Sequence, residues 1–116
     1  MEVFNVLKMM ADNPQMTFLS YGDFNGHGFG AVDVKGNNPG WEMHPDTDEF
    51  FYVVEGEMEI TLLENEEGDH YVAPAGSSFV VPRGVWHKPE APKGAKIIYF
   101  TPGESLVSDA ADPRKE

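Results

Sequence analysis

From residue 57 to residue 63 the chain alternates, with Glu57, Glu59 and Thr61 interleaved between Met58, Ile60 and Leu62. Successive side chains of an extended strand face opposite sides, so this alternation predicts a half-buried antiparallel strand. Other apolar stretches are short and rich in aromatic or β-branched residues. Segments 16–21, 29–34, 41–44, 49–54, 71–73, 78–81, 85–88 and 95–100 are each predicted as strands. Polar, Gly-rich or Pro-rich segments separate them: 22–28, 35–40, 45–48, Glu55-Gly56, 65–69 and 101–103 are read as turns or loops. Residues 3–10 fit a helical period and a strand period equally well, and Asp12-Asn13-Pro14 ends that segment. Eight or more short strands with one buried face each predict two packed antiparallel sheets or a closed barrel, because those arrangements hide strand edges.

Composition narrows this picture. A chain of 116 residues is the size of one domain, able to bury about two-thirds of the surface it exposes when unfolded. The expected division is one domain over 1–107 and a polar, mobile tail over 108–116. Twelve Gly and nine Pro suit many brief strands rather than long helices. A formal charge of −12 argues against nucleic acid and anionic membrane partners, which need clustered Lys and Arg. There is no cysteine, so disulfides, thiolate ligands and Cys nucleophiles are excluded. The N-terminal segment carries Glu2 and Lys8 and no small-residue cleavage site, and no apolar run approaches the roughly 20 residues that span a bilayer. A soluble cytoplasmic protein is expected.

Candidate chemistry lies in two segments. Glu42 and His44 are two residues apart and share one face of an extended chain, so both can reach one ion. Glu49 opens the following strand, and His87 completes a possible set of four ligands. Imidazole nitrogen and carboxylate oxygen suit Mn, Fe, Ni, Cu or Zn, and four protein ligands leave an octahedral ion two open positions.

These residues resemble the cupin family. Gly36, His44, Glu49 and Gly56 fall on its first motif, G-x5-H-x-H-x3,4-E-x6-G, with Glu42 where the first His stands. Gly76, Pro82, Gly84 and His87 fall on the second, G-x5-P-x-G-x2-H-x3-N, with Ala91 in place of Asn. The resemblance covers 36–56 and 76–91 and implies an all-β double-stranded β-helix, or jelly roll, of two antiparallel sheets. It also implies a divalent transition metal on Glu42, His44, Glu49 and His87, with Fe, Mn or Zn favoured by the oxygen ligands and Ni or Cu as alternatives. A homodimer is implied as well.

Glu42 has other readings: a general acid or base with a raised pKa, or a side chain turned outward. Phe51 and Val53 share a strand face with Glu49 and are expected to wall a pocket for a small molecule. Trp41, Tyr71, Phe79 and Trp86 read as core or interface residues, His27 and His70 as surface residues, and Asp46 and Asp48 as turn residues. No G-x-S-x-G, P-loop or Rossmann fingerprint occurs. Two functional classes stay open. One is a metal-dependent enzyme on a small molecule, of dioxygenase, isomerase or lyase type; the other is a non-catalytic module that binds or senses a sugar or small acid.

Overall fold

The computed structural model describes residues 1–37 and 40–115. One short helix, α1 (Val6–Ala11), precedes eight strands: β1 (Leu19–Phe24), β2 (His27–Gly36), β3 (Trp41–Met43), β4 (Glu49–Leu62), β5 (Asp69–Pro74), β6 (Ser78–Val81), β7 (His87–Phe100) and β8 (Leu106–Ser108). A 3-10 turn, Pro113–Lys115, follows. Helix wins over strand at the N-terminus because Asn5 caps it: its side chain accepts from the Lys8 N–H at 3.0 Å, and Met10 is buried.

The two 14-residue strands β4 and β7 organise everything else. They pair antiparallel along most of their length, from Phe50 opposite Phe100 to Leu62 opposite His87. Along the way β4 exchanges neighbours. Its first part, Glu49 to Tyr52, pairs with β6, whereas Glu57 to Leu62 pairs with β5. β7 does the same, joining β2 through its C-terminal half and β3 through His87. One sheet therefore runs β1-β2-β7-β4-β6 and the other β8-β3-β7-β4-β5, curled into a jelly roll. Register shifts at Val53/Glu55 and Gly56/Glu59 mark the crossing. Between the sheets lie Val32, Phe51, Val53, Met58, Ile60, Leu62, Val81 and Ile97, all buried.

The bend depends on glycine. Gly56 has φ +80, and a Cβ on it would collide with the Gly94 carbonyl oxygen and lie 3.0 Å from the Ala95 Cα. Gly94 opposite also takes a positive φ, of +93.

Several expectations change. Glu55-Gly56 is a bend inside one continuous strand rather than a turn between two, because β7 stays paired on both sides of it. Segments 85–88 and 95–100 likewise belong to a single strand, β7. The strand expected at 16–21 begins at Leu19, since Met16 sits in the left-handed region at φ 67. The expected 22–28 turn shrinks to Asn25-Gly26, with His27 already opposite Phe24. In the expected 35–40 loop, Lys35 and Gly36 continue β2, whereas Asn38 and Pro39 lie outside the described residues. β8 was not anticipated; its residues Leu106 to Ser108 pair with β3. Within the segment read as a tail, Arg114 reaches back to the loop between β4 and β5. Arg114 donates from Nη1 to the Asn65 carbonyl at 2.5 Å and from Nη2 to the Glu66 carbonyl at 2.9 Å, and Pro113 is buried.

Gly56→Ala adds a steric clash to the cost of a left-handed backbone and is expected to lower unfolding free energy by about 2–4 kcal/mol. Gly84, at φ +75 with nothing within 4 Å of its would-be Cβ, is the control. Its alanine variant carries only the backbone cost, about 1–2 kcal/mol. Urea denaturation of both variants measures the difference.

Candidate metal centre

Each of the four candidate ligands comes from a different part of the barrel wall. Glu42 lies in β3, His44 one residue beyond its end, Glu49 at the start of β4 and His87 at the start of β7. Strand pairing sets Glu42 directly opposite His87. The loop carrying Gly84 is fastened to the loop carrying His44 by a Gly84 N–H to His44 carbonyl bond of 2.8 Å. Asp48 adds a second tie, accepting from the Arg83 N–H at 2.9 Å, a long-range contact rather than a local turn bond. Backbone bonding thus joins the two motif segments and brings all four side chains together, with one ligand atom from each within 4.8 Å of the others.

The orientation of the rings follows from their outer nitrogens. His87 Nδ1 lies 3.0 Å from the Val85 carbonyl oxygen, and His44 Nδ1 lies 3.3 Å from that of Glu104 and 3.0 Å from Ser105 Oγ. A carbonyl only accepts, so each Nδ1 carries the hydrogen and donates it outward. Each Nε2 then presents a lone pair to the centre. His44 Nε2 is 3.3 Å and His87 Nε2 3.2 Å from Glu49 Oε1, and Glu42 Oε2 is 3.8 Å from His87 Nε2. His44 Nε2, His87 Nε2 and Glu49 Oε1 are all buried without a hydrogen-bond partner. Leaving three buried polar atoms unpaired costs about 1–3 kcal/mol each. Their convergence is what a cation would satisfy, so the residues present fit one.

Glu49 is buried, which opposes its charge, but the two imidazoles facing it and the hydrogen bond from Thr101 outweigh that and hold its carboxyl down at about 2. It is therefore a carboxylate at neutral pH. The Thr101 hydroxyl donates to Glu49 Oε2, leaving Oε1 for the centre. The Glu49 carboxylate pulls the His44 pKa upward against the opposing effect of burial. Glu42 differs: burial first, then the negative charge of Glu49, raise its pKa, with the two histidines working against them. Its side chain is also 35% exposed, against 5% for Glu49.

A cavity of about 490 Å³ opens beside the centre. Glu42, His44 and Glu49 line it, as does Phe51, which packs at a tilt against Phe79 with ring centroids 5.2 Å apart. Val53 shares the face of Phe51 but is absent from the lining. It packs in the core, one register step from the bend and opposite Ile97, at 0% exposure. Sequence reasoning also missed Thr101, Ser105, Phe18 and Tyr99. Segment 101–103 reads as a turn, and no local pattern marks a hydroxyl that acts 52 residues away. His27 is exposed beside the Phe100 ring. His70 is paired with Glu59 at 3.0 Å on an exposed strand face. Trp41 is buried under Lys88, whose Nζ lies 4.5 Å from its ring centroid, whereas Tyr71 is exposed. No helix among the described residues is long and apolar enough to cross a membrane.

Known proteins share this architecture. A cupin-2 domain containing protein from Shewanella frigidimarina is 32% identical and superposes with a TM-score of 0.75 over 86% of this chain and 94% of that one. Hydroxypropylphosphonic acid epoxidase from S. wedmorenis is 28% identical with a TM-score of 0.55, over 65% of this chain and 43% of the epoxidase. An FeII form of HppE is similar at 29% identity and a TM-score of 0.54, over 63% and 42% of the two chains. Uncharacterized protein YdbB of Bacillus subtilis (strain 168) is 40% identical over 48 residues, a match spanning 41% of this chain and 40% of that relative's length. The model of the cupin domain matches residues 29–103, well over half of the chain. The chain belongs to the cupin family.

Proposed function

We propose that this cupin is a metal-dependent enzyme acting on a small molecule, with a divalent transition ion held by Glu42, His44, Glu49 and His87. The observation that carries this reading is the meeting of three buried, unpartnered atoms, two imidazole nitrogens and one carboxylate oxygen, at the wall of a cavity. Two carboxylates offset a divalent charge, so the filled site is formally neutral, and the oxygen ligands favour Fe, Mn or Zn. Likeness to an FeII enzyme of the same fold supports iron among these.

When bound, such an ion supplies Lewis acidity toward a chelating carboxylate, enediol or diketone, and a redox ion adds oxygen chemistry. The protein does the rest. Val85, Glu104 and Ser105 orient the two imidazoles through their Nδ1 atoms, and Thr101 orients Glu49. Glu42, partly exposed and with a raised pKa, would hold or pass a proton at the cavity wall when it is released from the ion. The apolar wall, with Phe51, Met58 and Ile97, keeps water from the bound molecule.

The reading extends to a cytoplasmic homodimer. Phe24, Tyr52 and Val80 are exposed on the outer side of the β1-β2-β7-β4-β6 sheet, beside Phe29 and Phe100, and support a second copy there. Light scattering should give twice the 12.9 kDa chain mass, and Val80→Lys should shift it toward the monomer.

Metal analysis by mass spectrometry on protein purified without oxygen or chelator tests the centre. About one Fe or Mn per chain is expected, lost in His44→Ala and His87→Ala together with several degrees of melting temperature. No uptake by the native protein, even after reconstitution, would leave a binding module without a metal. Thr101→Val should weaken metal affinity by about tenfold while the fold persists. Lowering the pH should weaken metal binding, because a proton competes for His44 Nε2. The raised pKa of His44 starts this loss above the ordinary histidine range, and apparent affinity then falls by up to about tenfold per pH unit. Competition titrations across the pH range measure it.

A further inference from the structure

Phe18 is a large apolar side chain left 67% exposed at the entrance of the cavity. It is not loose. Just upstream, Met16 adopts φ 67, a conformation uncommon for a side chain of its size. Two contacts latch it to β2: its N–H donates to the Asp33 carbonyl at 2.8 Å, and its sulfur accepts from the Lys35 N–H at 3.4 Å. The chain therefore enters β1 with Phe18 turned edge-on to the Tyr99 ring, centroids 5.7 Å apart and planes at 76°. Tyr99 can take that place because Gly30 beside it has no side chain; a Cβ there would sit 2.9 Å from the Tyr99 hydroxyl. Met16, Phe18 and Tyr99 all line the same cavity as the four-ligand cluster.

The remaining wall is poor in hydrogen-bonding groups. Deep in the cavity Val32, Phe51, Met58, Ala91 and Ile97 are all buried and apolar. Thr101 gives its hydroxyl hydrogen to Glu49 and Ser105 accepts from His44 Nδ1, which leaves the O–H groups of Ser105 and Tyr99 as the few hydroxyl donors on the wall. Lys35 and Asn37 are exposed, and Glu90 lies between surface and interior. A sugar or polyol placed deep in the cavity would bury more hydroxyls than these groups can partner, each unpaired one at a cost of about tenfold or more in affinity. A flat apolar ring loses nothing by the same move and gains from contact with aromatic edges.

We infer that Phe18 and Tyr99 form a specificity clamp, and that the site takes a small planar ring compound presenting a pair of oxygens to the Glu42, His44, Glu49 and His87 centre. This rests on the metal-centred reading above. The oxygen pair would meet the ion, and the ring would lie between the apolar floor and the Phe18–Tyr99 edge. Substrate choice is thereby assigned to Phe18 just before β1, to Tyr99 in β7 and to the latch at Met16, none of which offers a ligand atom to the cluster.

A pair of probes with one chelating group separates ring recognition from metal binding. The protein is loaded with Co(II), whose uptake and absorption bands are read directly, and titrated with benzohydroxamate and with acetohydroxamate. The native protein should bind benzohydroxamate about tenfold or more tightly, the gain expected for burying a phenyl group. Phe18→Ala should bring that ratio toward one through loss of benzohydroxamate affinity. Tyr99→Leu should do so in part, and because Phe18 is exposed its variant keeps the test valid if the Tyr99 variant does not fold. Cobalt uptake with equal affinities for the two probes, or a preference unchanged in Phe18→Ala, would overturn the clamp and leave the metal centre standing. Absence of cobalt uptake would overturn the metal reading and the clamp together.

Discussion

Everything in this molecule hangs on the antiparallel pairing of β4 with β7 and on the fact that both strands bend without parting. A flat pair of that length would make one open sheet with two exposed faces. The bend at Gly56 and Gly94 lets each strand serve in two sheets, so each strand lends one half to each wall of the barrel. His87 and Glu49 lie at the starts of these two strands. The barrel geometry and the ligand geometry are consequently one constraint, since moving either strand by one residue would turn its ligand into the opposite face.

Inside that frame, charge is handled by layers. A carboxylate and two imidazoles in an apolar barrel would be expensive if left to themselves. Their outer atoms are satisfied by backbone carbonyls and hydroxyls, and their inner atoms all face one point. The difference between Glu49 and Glu42 follows from the same layering. Glu49 has the Thr101 hydroxyl on one oxygen and two imidazoles facing the other and stays ionised, whereas Glu42 stands at the open edge and its pKa moves up. Two carboxylates in one site are thus pushed in opposite directions by their surroundings.

Local pattern made much of this legible. The alternation from Glu57 to Leu62 became the second half of β4, buried and exposed positions in the expected order. The spacing of Glu42, His44, Glu49 and His87 anticipated which side chains would meet, because strand parity and motif spacing both constrain them. What sequence concealed were features whose cause is distant. Gly56 looks like a turn because glycine usually signals one, and only the uninterrupted partner strand reveals a bend. Leu106 to Ser108 carries no strong strand signal and owes its extended form to β3. Thr101, Ser105 and Phe18 acquire their roles through neighbours far along the chain, so no window around them could have marked them.

The ties of His44 to residues 104 and 105 have a bearing on how the centre is made. A ring near the middle of the chain is aimed by groups 60 and 61 positions later. The four ligand side chains all precede these groups in the chain, so a chain cut short of residue 104 would keep every ligand and still lose the aim of one ring. An ion offered to such a chain would meet a looser and less selective set of side chains.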